Sequence, residues 1–173
     1  MDEIKVLISA EVIQTKIREL ADVLNNKYAG EELYLVCVLK GSVMFMTDLA
    51  KHLCMPVKME FIRLSSYGSG TSYSGKVNAV DIALPDLNGK NVLIVEDIID
   101  TGHTAKFLVD FMNQNFKMKS FEFCSLLDKK TKREVDIDAD YYCFEVEDKF
   151  IVGYGLDHDG NYRNLPYIGY IES

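Results

Sequence analysis

The sequence has 173 residues, about the length of one domain. Hydrophobic residues make up 48% of it and charged residues 27%, with 11 Gly and 3 Pro, which excludes a disordered, collagen-like or low-complexity chain. The net charge is −8, so bulk attraction to nucleic acid is excluded and we expect no nucleic-acid partner. An anionic ligand must therefore be bound at a local cationic or metal-bearing site.

The lack of recognisable targeting signals and the pattern of cysteines predict a cytoplasmic protein. No apolar run approaches the roughly 20 residues of a membrane span, and the acidic N-terminus lacks the basic and apolar regions of a signal peptide. The three histidines have no metal-like spacing, and the four cysteines contain no Cys-x-x-Cys pair. We expect reduced thiols and no membrane partner. The cysteines are Cys37, Cys54, Cys124 and Cys143.

The first half of the chain alternates helical and strand patterns. Residues 11–29 carry apolar side chains at helical spacing and end before Gly30, a natural C′ residue. Residues 33–39 are a continuous apolar run, as in a strand that is covered on both faces. A helix with Ser42 at its N-cap follows, and residues 57–64 predict the next strand.

A Ser- and Gly-rich segment at residues 65–76 is too long for a tight hairpin. The elements predicted beyond it are strands at 77–84, 91–99, 120–127, 141–146 and 150–154 and a helix at 105–116. Strands that alternate with helices predict an α/β fold with a doubly wound, mostly parallel sheet in a single domain, residues 1–173. The less regular residues from about 128 to 173 predict a small hood over the sheet edge, and a contribution of the N-terminus to it is left open.

The most informative segment is residues 92–105, with the sequence VLIVEDIIDTGHTA. A buried strand runs directly into three acids, and these are followed by a Thr-Gly-x-Thr turn and a helix. The turn suits an anion, because glycine lets the backbone approach closely, threonines offer hydroxyls and free N–H groups open the helix. The acids are Glu96, Asp97 and Asp100, and the turn is Thr101, Gly102, His103 and Thr104.

Carboxylates beside this turn would repel a bare phosphate. The conflict is resolved if the ligand also carries hydroxyls, a metal or a developing positive charge. A phosphorylated sugar with an Mg²⁺-bound pyrophosphate supplies all three, with Glu96 and Asp97 accepting hydrogen bonds from ribose hydroxyls. The alternative is that the acids only decorate a strand end and cap the helix, but the turn directly behind them favours a binding site.

Five segments in order resemble the type I phosphoribosyltransferases, and most closely the hypoxanthine–guanine phosphoribosyltransferases. The segments are residues 39–42, 65–68, 92–105, 126–130 and 148–157, so the resemblance covers nearly the whole chain. It implies an Mg²⁺-dependent enzyme of purine salvage, in which hypoxanthine or guanine and 5-phospho-α-D-ribosyl 1-pyrophosphate (PRPP) give IMP or GMP and pyrophosphate. It also implies a homodimer or homotetramer.

The resemblance implies three contacts to the pyrophosphate group of PRPP. A cis peptide between Lys40 and Gly41 would turn backbone N–H groups towards it. Arg163 and Arg133 would approach it with their guanidinium donors. The 101–104 turn would hold the terminal phosphate of PRPP, although position 103 is often Lys in the family and is His here.

The resemblance also implies a lid and a metal site. The loop at residues 65–76, with Ser66 and Tyr67, resembles a mobile lid that excludes water from an oxocarbenium-like transition state. Oxygen ligands suit Mg²⁺, which keeps several waters when it binds to proteins. The carboxylates implied for Mg²⁺ are Glu96, Asp97 and Asp157.

Four further residues are implied to bind the purine. Asp100 would face N7 as the general base or proton partner, and its charge would stabilise a cationic ribosyl group. Lys129 would face O6, which favours 6-oxopurines over adenine because two donors would oppose each other in the adenine complex. Phe150 would stack on the base, and the main chain of Ile151 would contact its edge.

Other interpretations of these residues and of the whole chain stay open. Without the resemblance, Asp100 caps a helix, Lys129 is a solvated lysine and Phe150 packs in the core. A phosphoribosyl-binding regulator without catalytic activity would keep the turn but would not need Asp100, Lys129 and the lid together. A phospho-accepting receiver domain places its acidic strand end near the N-terminus, whereas two strand–helix units precede it here. The relative use of hypoxanthine, guanine and xanthine is not predicted.

Overall fold

The computed structural model describes residues 3–66 and 77–172, with residues 65–66 and 77–81 described through their backbone only. That part of the chain forms three α-helices, a short 3-10 helix and nine strands. The helices are α1 (Ala10–Lys27), α2 (Val43–Lys51) and α3 (His103–Asn115), and the 3-10 helix is Lys130–Lys132. The strands are β1 (Ile4–Ile8), β2 (Leu33–Leu39), β3 (Val57–Ser66), β4 (Val77–Asp81), β5 (Asn91–Ile99), β6 (Ser120–Asp128), β7 (Tyr141–Glu145), β8 (Phe150–Val152) and β9 (Ile168–Ile171).

Six strands form the main sheet, in the order β4-β3-β2-β5-β6-β7. The five neighbouring strands β3-β2-β5-β6-β7 run parallel. The sixth strand, β4, pairs antiparallel with β3. The remaining strands form a small antiparallel sheet, β1-β9-β8, in which the first strand of the chain pairs with the last. The predicted α/β fold with a mostly parallel sheet is therefore confirmed.

Alternation along the central strands sends apolar side chains to both faces of the main sheet. Leu35 and Leu93 point to the face that α1 and α2 cover, whereas Val36 and Ile94 point to the face that α3 covers. All four side chains are fully buried. Each contributes roughly 1.5–3 kcal/mol by leaving water, so these two cores hold the helices on opposite faces and make the sheet doubly wound.

Some segments differ from their predicted positions. Tyr141–Glu145 pairs in parallel with β6 as the outer strand of the main sheet, although the sequence placed it in the hood. The strand β4 ends at Asp81 rather than at residue 84, and α3 begins at His103 rather than at residue 105. Ser42 is the N-cap of α2, but its hydroxyl donates to the Val38 carbonyl instead of capping the helix. The division of the chain into a core and a hood stays a prediction.

The cysteines of the structure are free thiols, and its helices are short or polar. All four cysteines are free, and burial raises the pKa of the Cys37 thiol to about 11 and that of Cys143 to about 12. Within residues 3–66 and 77–172, no helix has the length and apolar character needed to cross a membrane.

The carboxyl ends of β2, β5 and β6 lie at the same edge of the main sheet, because these strands are parallel neighbours. After β2 the chain enters α2 on one face, and after β5 it enters α3 on the other face. A crevice therefore opens between the two strand ends, at the position where doubly wound sheets bind ligands.

Candidate active site

Two adjoining cavities lie at this edge of the sheet. The turn cavity, of about 300 Å³, is lined by the end of β5, the 101–104 turn and the start of α3. The lysine cavity, of about 420 Å³, is lined by Lys129, Lys132 and residues 148–151. Ile98 and Asp100 line both cavities. Asp100 therefore lies where the two cavities meet.

Gly102 gives the turn cavity its shape. Its φ of +92° lies in the left-handed region, and it is the N-cap of α3. A Cβ at this position would lie 2.7 Å from Ile137 Cγ2 and 2.9 Å from Arg133 Cδ, so only glycine fits. Thr101 and Thr104 line the cavity beside it. Because the first N–H groups of a helix lack intrahelical partners, this backbone has the form that an anion-binding turn requires.

Glu96 and Asp97 form an acidic pair at the end of β5, in which Glu96 is buried and Asp97 is partly buried. Glu96 is 7% exposed, and its Oε2 has no hydrogen-bond partner in the described part of the chain. Burial raises the pKa of Glu96 well above its usual value, and the neighbouring Asp97 charge raises it further. Burial also raises the pKa of Asp97, against hydrogen bonds from Glu96 and Ile98 and the charge of Arg163. The pair is therefore poised to gain from a ligand that donates hydrogen bonds.

Two glycines let three distant segments meet at Asp97. A Cβ on Gly41 would overlap the Asp97 carboxylate, and a Cβ on Gly155 would overlap the Gly41 carbonyl. Gly155 also has a φ of +100°, and its carbonyl accepts a hydrogen bond of 2.5 Å from Arg163 Nη1. The loop after β2, the acids of β5 and the 155–163 segment therefore pack backbone against carboxylate. This close packing explains the glycine at both positions.

The cis peptide lies between Leu39 and Lys40, and the position between Lys40 and Gly41 implied by the resemblance is wrong. The bond is one residue nearer to the end of β2 than expected. Leu39 lines the turn cavity, and Lys40 is exposed next to it.

Asp157 and Arg163 form an ion pair beside the acids. Arg163 Nη2 lies 2.6 Å from Asp157 Oδ1, and the other oxygen of Asp157 accepts a hydrogen bond of 2.8 Å from Gly160 N–H. Asp157 also lines the lysine cavity. In the described ranges, no cluster of three or more His, Cys, Asp or Glu side chains forms a ready metal site.

The lysine cavity contains a buried cation. Lys129 is 6% exposed, and its Nζ donates to the Lys149 carbonyl at 2.8 Å. Phe150 is 52% exposed, and its ring makes a T-shaped contact with that of His158, with 4.9 Å between the centroids. Lys129 is therefore not a solvated lysine, and Phe150 is not a core residue. The exposed part of the Phe150 side chain can contact a planar ligand.

Asp100 does not cap α3, because Gly102 holds that position. One carboxylate oxygen of Asp100, Oδ1, is buried without a hydrogen-bond partner in the described residues. Its main-chain carbonyl accepts a hydrogen bond of 2.8 Å from Arg133 Nη1. Asp100 is thus held through its backbone while its carboxylate stays available to a ligand.

Two residues predicted to bind PRPP support the turn from outside. Arg133 binds the Asp100 carbonyl and pairs with the Asp128 carboxylate, and it lines neither cavity. His103 Nε2 lies 2.7 Å from Glu134 Oε2 and also lines neither cavity.

Three cavity or packing residues were not singled out from the sequence. Asp148 and Lys132 line the lysine cavity, and Gly155 packs against Gly41. The basic cluster at 129–133 and the motif at 148–157 contain all three, but neither pattern shows which members turn inwards. Of the predicted lid at 65–76, Tyr67 lies outside the described residues, and Ser66 is the last residue of β3.

Comparisons with known proteins give a consistent result. A family model described as the phosphoribosyl transferase domain matches residues 9–159. The chain is 46% identical over 168 residues to the hypoxanthine-guanine phosphoribosyltransferase of Streptococcus thermophilus, covering 97% of this chain and 93% of that protein. A solved hypoxanthine-guanine phosphoribosyltransferase from Bacillus anthracis is 46% identical, with a TM-score of 0.92 over 98% of this chain and 100% of that one. A hypoxanthine phosphoribosyltransferase structure from Staphylococcus aureus is 41% identical, with a TM-score of 0.91 over 97% and 91% of the two chains.

The burial of Glu96 gives a prediction about stability. We expect Glu96→Gln to raise the free energy of unfolding at pH 8 by about 1–3 kcal/mol, because the neutral amide removes a buried negative charge next to Asp97. The folded-state pKa of Glu96 lies above its usual 4.5, so this gain grows as the pH rises above that value and vanishes below it. Urea unfolding at pH 4, 6 and 8 measures the difference.

The control for this measurement is Glu19→Gln, because the Glu19 side chain is 60% exposed on α1. We expect it to change stability by less than about 0.5 kcal/mol at every pH. A Glu96→Gln protein that is no more stable than the starting protein at pH 8 would contradict the assigned cost of the buried acid.

Proposed function

The chain belongs to the phosphoribosyl transferase family, and from that premise we propose that it transfers the 5-phosphoribosyl group of PRPP to hypoxanthine or guanine. The products are IMP or GMP and pyrophosphate, so the protein is an enzyme of purine salvage. The observation that carries this proposal is the position of Asp100 between the turn cavity and the lysine cavity. A sugar phosphate in the first cavity and a base in the second would meet beside its carboxylate.

The turn cavity suits the phosphoribosyl group. The N–H groups at the start of α3 and the hydroxyls of Thr101 and Thr104 are donors for the terminal phosphate. Glu96 and Asp97 accept hydrogen bonds from the ribose hydroxyls. Their raised pKa values show that their negative charge is costly without such donors, so a dihydroxy ligand stabilises the ionised pair.

Asp100 stabilises the positive charge and binds the proton that the reaction produces. The bond between ribose C1 and pyrophosphate weakens as the bond between C1 and the purine nitrogen forms, so positive charge develops on the ribosyl group. The Asp100 carboxylate stabilises this charge and accepts or holds the proton at purine N7. Arg133 positions it through the Asp100 carbonyl.

The lysine cavity suits a 6-oxopurine. The Lys129 ammonium donates to O6, while the exposed face of Phe150 stacks on the base and the Ile151 main chain meets its edge. Adenine carries an amino group in place of O6, so its donor would oppose the Lys129 donor in a buried place. The cavity therefore selects against adenine.

The donor set fits Mg²⁺, which we propose as the cofactor. Mg²⁺ binds one or two carboxylates together with substrate phosphates and waters, and it does not need a preformed protein cage. Glu96 and Asp97 offer hard oxygen atoms in the turn cavity, Asp157 offers them in the adjoining lysine cavity, and Glu96 Oε2 has no other partner in the described residues. When bound, the ion neutralises charge on the departing pyrophosphate. Arg163 carries out the same task from the protein side.

We also propose a cytoplasmic location. Four cysteines without disulfide partners suit a reducing compartment, and the two substrates are small phosphorylated or heterocyclic metabolites of that compartment.

A substrate panel tests the proposed function directly. We expect the purified protein with PRPP and Mg²⁺ to convert hypoxanthine and guanine, with kcat/KM for adenine lower by at least about 100-fold. Chelation of Mg²⁺ should abolish the conversion. Binding of PRPP without turnover of any purine would instead support a regulator, and equal rates with adenine would remove the assigned role of Lys129.

The role of Asp100 is tested by Asp100→Asn. We expect kcat to fall by about 10²–10⁴-fold with little change in the melting temperature, because the amide neither carries the charge nor accepts the N7 proton. The matched control is Asp110→Asn on the exposed face of α3, where Asp110 pairs only with Lys106 among the described contacts. Turnover of Asp100→Asn within threefold of the starting enzyme would exclude Asp100 from the mechanism.

We further propose that the chain forms a homodimer or homotetramer through the α2 side of β3. Met59 and Phe61 share the face of β3 on which Leu35 and Cys37 lie in β2, and they are 40% and 43% exposed. Met44 of α2 is 37% exposed, and large apolar side chains exposed in this way suit an interface between chains. Light scattering should give at least twice the chain mass, and Phe61→Glu should reduce it, whereas Val12→Glu on α1 should not. A monomer at micromolar concentration would contradict the proposal.

A further inference from the structure

Asp148 lies between two lysines of the lysine cavity. Its Oδ1 is 2.8 Å from Lys132 Nζ and 3.7 Å from Lys129 Nζ. Because both ammonium groups approach the same oxygen, their nitrogens are at most about 6.5 Å apart, the sum of those two distances. The Lys129 side chain is 8% exposed, whereas those of Lys132 and Asp148 are 41% and 53% exposed. The Asp148 carboxylate thus lies close to two positive charges, the buried Lys129 and the exposed Lys132.

Two other charged groups of this cavity are paired elsewhere. Lys149 Nζ lies 3.7 Å from Glu147 and 4.6 Å from the centre of the Tyr170 ring. Asp157 pairs with Arg163. Asp100 also lines the cavity, but its attraction for Lys132 is weaker than the hydrogen bond that Lys132 donates to Asp148, which is the main reason why the pKa of Lys132 is raised.

Without the Asp148 charge, two ammonium groups would face each other across a few ångströms. At such a separation, in the dielectric of a partly exposed site, like charges repel by several times the thermal energy. Lys132 lies on the 3-10 helix with its side chain 41% exposed, whereas Lys129 is buried and held by only one further hydrogen bond, to the Lys149 carbonyl. Because a buried charge is screened less by water and salt, the repulsion would act on the Lys129 ammonium, which faces the base in the proposed complex.

We propose that Asp148 is a positioning residue for purine recognition, which cancels the charge of Lys132 so that the Lys129 ammonium stays in place for O6 of the base. This inference rests on the proposed function, since it assigns a partner to the residue that binds the 6-oxopurine. Asp148 does not contact the reacting atoms. Asp148 affects the affinity for the base, and it is needed because Lys132 carries a positive charge near Lys129.

The test is a double-mutant cycle on Asp148 and Lys132. We expect Asp148→Asn to raise KM for hypoxanthine about tenfold, with kcat and KM for PRPP within about threefold, because only the base contact is disturbed. Lys132→Gln alone should change KM for hypoxanthine by less than about threefold. In the double variant Asp148→Asn/Lys132→Gln, the repelling charge is gone, so KM should return to within about threefold of the starting value.

The chain offers a matched control pair on the same 3-10 helix. Lys130 and Glu145 form an ion pair of 3.4 Å with side-chain exposures of 42% and 55%, and neither lines the lysine cavity. Lys130→Gln and Glu145→Gln should leave KM for hypoxanthine unchanged. Asp148→Glu, which keeps the carboxylate, should behave like the starting enzyme.

Three results would overturn the proposal. They are an unchanged KM for hypoxanthine in Asp148→Asn, a double variant that is as impaired as Asp148→Asn, and an equal rise of KM for PRPP. Melting temperatures identify any variant that fails to fold, and Asp148→Ser with and without Lys132→Gln then repeats the test of the charge dependence. Failure of the proposed function is distinguishable, because the unmodified enzyme would then form no IMP at all.

Discussion

The backbone pairing of β5 with β2 on one side and with β6 on the other is the interaction on which the site depends. These parallel ladders bring the ends of three strands to one edge, although their last residues are far apart in the chain. The same ladders hold residues 91–96 in the interior, so Glu96 is buried by its position in the strand. The sheet therefore fixes the distances between the acids, the turn and Lys129, which do not all contact one another.

This arrangement leaves buried polar groups without hydrogen-bond partners, which costs stability. Glu96 Oε2 and Asp100 Oδ1 are both buried without partners in the described residues. Both residues line the turn cavity. A core built for stability alone would pair or remove such groups. Their presence at the crevice of a doubly wound sheet fits the proposed site, in which the ligand would donate hydrogen bonds to these oxygens and the turn behind the acids would bind its phosphate.

Local features of the site were predictable from the sequence, and contacts between distant segments were not. The strand–turn–helix unit around Gly102 is contiguous, so its left-handed turn and its position at the sheet edge follow from a short pattern. The family resemblance added Lys129 and Phe150, whose isolated sequence signals favour an exposed lysine and a core aromatic. The roles of Arg133 and Asp148 depend on where the segment after β6 meets the turn and the segment before β8. No local pattern encodes those meetings.

The misplaced cis peptide and the strand β7 illustrate two further limits. A motif identifies the loop after β2, but it does not distinguish between two adjacent peptide bonds, and the cis bond precedes Lys40 rather than Gly41. Tyr141–Glu145 is a short strand at a sheet edge, where half-exposed side chains give a weak alternation and pairing depends on a partner elsewhere in the chain. The position of this strand is therefore decided by tertiary contacts.

The small sheet has a consequence for the order of folding. Its strand β1 pairs with β9, so that Ile4 lies opposite Ile171. Closing so long a loop costs chain entropy before the pairing stabilises the chain, so contacts of this kind form late in folding. Phe150 and Ile151 belong to β8, which also pairs with β9, so we expect this side of the crevice to form after the contiguous turn around Gly102.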